Sequence, residues 1–112
     1  VKPDAEYETY YLELVQDLAD RIGRLKAEYD ALGVEIERLS RIGEALVKAG
    51  KAPEAAAPAE EARRRGLERF VVRKGIVHRT HQYRGYLVLL EHSGLNIPQT
   101  ERVNATYLEI TR

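Results

Sequence analysis

His78, His81 and His92, with Glu91 beside the last, are the side chains of this 112-residue sequence whose types first suggest chemistry. Imidazole and carboxylate groups bind divalent metals or exchange protons near neutral pH. On a helix His78 and His81 would share a face, whereas on a strand they would point to opposite faces. No cysteine and no aspartate cluster accompanies them, so surface histidines in a basic loop are the simpler reading than a metal site. A phosphodiester-cleaving site could be assembled from His78, His81, Arg79 and Tyr83 as base, acid and cationic clamp. Their spacing does not single that arrangement out. The chain has no Gly-rich phosphate loop, no nucleophile elbow and no paired carboxylate near a histidine. The inventory points away from an enzyme, and it implies no cofactor, metal or small-molecule ligand.

A second group of residues is electrostatic. Residues 1–50 carry seven basic and eleven acidic side chains, a net of −4; residues 51–112 carry eleven basic and seven acidic, a net of +4. Between 62 and 85 lie Arg63, Arg64, Arg65, Arg69, Arg73, Lys74, Arg79 and Arg84, against Glu68 alone. Such a run could neutralise phosphates and release counterions, with Tyr83 and Tyr86 beside Arg84 stacking on unpaired bases. The plainer reading is a solvated or protein-facing basic surface that meets acidic helices of its own assembly. No recognition signature of a nucleic-acid module is present. The stretch ahead of the heptads described next, DAEYETYYLEL, is acidic where a basic zipper protein would be basic.

These groups need elements to hold them, and the strongest pattern lies upstream. Leu18, Leu25, Leu32, Leu39 and Leu46 fall seven residues apart, with Val15, Ile22, Tyr29 and Ile36 between them. This is a heptad seam with Leu at d and mostly β-branched residues at a. A helix over 4–49 would be roughly 70 Å long at about 1.5 Å per residue. A compact chain of this size has a radius of gyration of only about 13 Å. That mismatch assigns the seam a partner on another chain. Asp4 is a plausible N-cap, and Lys48, Gly50 and Pro53 form a stop signal. Gly33 could mark a break, but the heptad passes through it without a phase slip.

The flanking residues bear on how two such helices would pair. A parallel homodimer sets Arg21 against Lys26 and offers no attractive pair in return. Antiparallel pairing centred near Ala27 sets Ile22 on Leu32, Tyr29 on Leu25, and Tyr11 on the vacant Gly43, with Arg21 near Glu35. The pattern slightly favours an antiparallel homodimer. Leu12, Leu14, Ile42 and Val47 widen the stripe, which leaves open a four-helix bundle or docking onto the helices of a larger complex.

Residues 50–59 read as an Ala/Pro linker, followed by a short helix with Pro58 near its first turn. Around Leu67 the period changes. Glu68 to Val72 and Ile76 to Thr80 read as a hairpin around Arg73-Lys74-Gly75, and Tyr86 to His92 reads as a third strand after a turn at 82–85. Residues 105–111 (ATYLEIT) supply a fourth. The rival is a helix from Thr80 to His92 capped by Gly94. The fold class expected is therefore α+β: a coiled-coil helix over 4–49, a linker over 50–59 and a small basic β-rich module over 60–112. The longest apolar run, Tyr86 to Leu90, falls far short of the roughly 20 residues a membrane span needs. A cytoplasmic protein with no membrane partner is expected. The function expected is a non-catalytic oligomeric adaptor or structural subunit of a larger assembly. The alternative is a dimeric nucleic-acid-binding protein using the basic segment 62–85.

Overall fold

The computed structural model describes residues 5–94, which form two long helices joined by a short turn. Helix α1 spans Ala5–Lys48, a 3-10 turn spans Ala52–Ala55, and helix α2 spans Ala56–His92. Glu6 and Glu8 in the first turn of α1 and Lys48 in its last complement the helix dipole. Gly50 stops α1 by adopting a φ of 77°, a left-handed conformation that costs glycine little. The Lys51 N–H then donates to the Leu46 carbonyl at 2.8 Å and the Gly50 N–H to the Val47 carbonyl at 3.1 Å. This pair of bonds is the Schellman arrangement, which satisfies carbonyls that a helix end otherwise leaves open. Pro53 opens the 3-10 turn, and Pro58 falls in the first turn of α2, where no intrahelical donor is required.

The described chain belongs to two compact units. Residues 27–73 form one: a helical hairpin closed by the turn after Gly50. Within it Tyr29 meets Arg69 and Glu35 meets Arg65, so the two helical segments run antiparallel. Leu32, Leu39 and Val72 are buried there. The described parts of 1–26 and 74–112 form the other unit. Its segments are antiparallel too, with Tyr11 against Tyr86 and Leu25 beside Gly75. Val15, Leu18, Ala19, Ile22, Ile76, Tyr83, Leu87 and Leu90 make its apolar core. Each large apolar side chain so buried contributes about 1.5–3 kcal/mol. Thr80 is buried among them, and its hydroxyl donates to the Ile76 carbonyl at 2.7 Å, which removes the cost of burying it.

The α+β expectation is overturned: among the described residues there is no strand, and α2 runs through all three strands read over 68–92. The tract 105–111 lies outside the described residues. Packing explains the difference. The buried positions of α2 are Val72, Ile76, Thr80, Tyr83, Leu87 and Leu90, spaced three or four apart, as a helix lying on another helix requires. Phe70 and Val71, which completed an apparent strand with Val72, are 54% and 67% exposed. The supposed hairpin turn at Arg73-Lys74-Gly75 is helical, and a Cβ added at Gly75 would lie 3.7 Å from Leu25 Cδ1. The turn expected at 82–85 is helical as well.

The same packing gives the α1 seam a cover within its own chain. Val15, Leu18, Ile22, Leu32 and Leu39 are buried within the single chain, and Tyr11, Leu25, Tyr29, Ile36 and Leu46 are half-buried. The second helix supplies the cover that a β module could not have supplied. No described helix is long and apolar enough to cross a membrane.

Candidate functional site

Val72 and Ile76 are each buried in the core of their own unit, and stepping back from Val72 by three and then four reaches Arg69 and Arg65. Two arginines thus occupy seam positions where the other half of α2 places apolar residues. Arg69 lays its guanidinium over the Tyr29 ring, 3.8 Å from the centroid, and donates from Nε to the Tyr29 carbonyl at 3.1 Å. This combines a cation–π contact with a charge-assisted hydrogen bond. Gly33 makes room for it: a Cβ there would stand 2.6 Å from Arg69 Nη2. Arg65 lies with Nε 3.2 Å from both Glu35 and Glu61 carboxylates and Nη1 3.2 Å from Glu68.

The neighbouring arginines are also engaged. Arg63 pairs with Glu60 at 2.6 Å, and Arg64 pairs with Glu61, each one helical turn back. The Glu60 carboxyl is held below its ordinary value by the hydrogen bond from Arg63, and the Glu61 carboxyl by the one from Arg64. The Arg65 guanidinium is pushed the other way, first by Glu68 and then by Glu35. Arg79 lies with Nη1 3.4 Å from the Gly75 carbonyl. Lys74 and Arg84 also make interactions within the chain. Arg73, the remaining cation of the run, sits half-buried on α2. Most of the apparent basic stripe is therefore used to hold helix to helix or turn to turn.

The remaining candidates fall in the other unit. Tyr83, expected beside Arg84 as a base-stacking ring, is fully buried. Tyr11 instead lies at the centre of a ring contact, 5.6 Å from Tyr86 and 5.5 Å from Tyr10. His78, His81 and His92 are exposed. No group of three or more His, Cys, Asp or Glu converges as a metal site among the described residues.

What the sequence reading missed is apolar and exposed. In the hairpin unit Val34, Leu67, Phe70 and Val71 lie on the surface, with Val34 69% and Leu67 58% exposed. Near the turn the same unit has an apolar groove of about 600 Å³, where Leu39 and Val47 stand beside small residues such as Gly43, Ala59 and Ala62. The signal that could have exposed this surface is the spacing Arg65, Arg69, Val72, Ile76. Once those positions are taken as the inner face of α2, Leu67, Phe70 and Val71 must lie elsewhere on the helix. No family model matches this chain, and no curated protein or solved structure is significantly similar to it.

Proposed function

We propose that this chain is a non-catalytic adaptor or structural subunit that works by association of helices. The observation that carries the reading is the exposed apolar surface of the hairpin unit, where Leu67, Phe70 and Val71 stand on one short stretch of α2. Large apolar side chains grouped in this way mark interaction surfaces more often than scattered ones do. The core of each unit is a single seam between two helices, so the outer faces remain available to further helices. The nucleic-acid alternative draws less support, because the arginines it needs are mostly engaged inside the chain.

The reading is tested by placing a photo-cross-linking amino acid at Phe70 in cells that make the protein, with Gln16 as a control position. A discrete adduct from position 70 and none from 16 is the expected outcome. No adduct from 70 would sink the reading.

A further inference from the structure

Three features of the hairpin unit bear on association. Its groove is lined by Gly43 and Glu44 of α1 and by Ala59 and Ala62 of α2. Gly66 lies in the interior of α2, where glycine is unfavourable, and a Cβ added there would meet nothing within 4 Å. Phe70 is exposed one turn further on.

Ala59, Ala62, Gly66, Phe70 and Arg73 follow one another at steps of three and four, so they share one face of α2. The steps are symmetrical about Gly66. Phe70 stands four residues after it and Ala62 four before; Arg73 stands seven after and Ala59 seven before. We propose that this face is a homodimer interface, in which α2 packs antiparallel on α2 of a second copy about a two-fold axis at Gly66. Gly66 meets its counterpart and lets the two helices approach closely. Phe70 of each chain enters the groove of the other over Ala62. Arg73 crosses Ala59 of the second copy and comes beside Glu44, which lines the same groove.

Large meets small and cation meets carboxylate, each twice, as an isologous interface demands. Arg73 opposite Glu44 supplies the charge complementarity that fixes the register of the pair. A different protein's helix would need none of this internal symmetry. The inference rests on the helix-association reading and adds its partner and its register.

The chain has no cysteine, so Gly66→Cys introduces one thiol per chain. A two-fold axis at that residue brings the two Cα atoms toward the roughly 4.4–6.8 Å that a disulfide spans. Mild oxidation of a dilute solution should give a covalent dimer, while Val34→Cys on the other helix should remain monomeric. Arg73→Glu and Glu44→Arg should each shift the native mass in sedimentation toward the monomer, and the combined charge swap should restore the dimer. Equal cross-linking at 34 and 66, or a native dimer indifferent to the charge variants, overturns this face and leaves helix association standing. A monomeric chain whose Phe70 adduct is a different protein overturns the second copy and leaves the adaptor reading intact.

Discussion

Replacing Gly33 by alanine sets a gain in helix propensity against a packing loss, and both can be sized. Alanine in mid-helix is favoured over glycine by about 1 kcal/mol. In the hairpin the new Cβ would stand 2.6 Å from Arg69 Nη2 and 2.9 Å from its Cζ. A guanidinium is the far end of a flexible side chain and can swing away. Here its position is set by the bond to the Tyr29 carbonyl and by the stack on the Tyr29 ring. A hydrogen bond from a charged donor contributes about 1.5–3 kcal/mol. A cation–π contact contributes about 0.5–1 kcal/mol at exposed sites. Arg69 is half-buried, so the lower ends apply and the loss is about 2 kcal/mol. Gly33→Ala should therefore destabilise the protein by a net of about 1 kcal/mol. In an Arg69→Ala background the obstacle is absent, and the same substitution should stabilise by about 1 kcal/mol. Urea titrations followed by circular dichroism give both differences by linear extrapolation. The same sign in both backgrounds would refute the claim that Gly33 exists to admit Arg69.

Two further outcomes follow from the core and the ion pairs. Ile76→Ala empties a fully buried position and should cost about 2–5 kcal/mol, read as a lower thermal midpoint; an unchanged midpoint would remove Ile76 from the core. Glu60 and Glu61 have folded pKa values below the ordinary 4.5, so the folded chain binds fewer protons than the unfolded one. Their stabilisation is complete above pH 4.5 and disappears as pH falls through the lowered values. The stability gap between wild type and Glu60→Gln with Glu61→Gln should close on acidification, and a gap that widens would reverse the sign.

Helix α1 was legible because Leu and β-branched residues stand openly at its seam positions, and because Gly50 and Pro53 announce its end. Helix α2 was not, since Arg65 and Arg69 occupy the seam where an apolar period would have shown. A guanidinium can fill such a position only when a particular partner receives it, here the Tyr29 ring and carbonyl and the Glu35 carboxylate. Those partners lie some thirty to forty residues away in sequence, beyond any local window. Farther along, Ile76 and Thr80 are four apart like Val72 and Ile76, and that repeated step blurs the heptad where Phe70-Val71-Val72 and Ile76-Val77 already resemble strands. The helical face of Tyr83, Leu87 and Leu90 was visible, as the rival reading of residues 80–92 recognised. For the candidate site, charge could be counted from sequence but not assigned. Pairs such as Arg63 with Glu60 follow from spacing only once α2 is known to be a helix.

Helix α2 covers the α1 seam within one chain, and Leu25 and Gly75 meet across that contact. A Cβ at Gly75 would lie 3.7 Å from Leu25 Cδ1. In a Leu25→Cys, Gly75→Cys variant, otherwise free of cysteine, oxidation or a short bis-maleimide should link the two thiols. The product expected is an internally bridged chain of monomer mass, formed at a rate independent of protein concentration. A covalent dimer, or two thiols left unlinked, would show that the α1 seam finds its cover elsewhere.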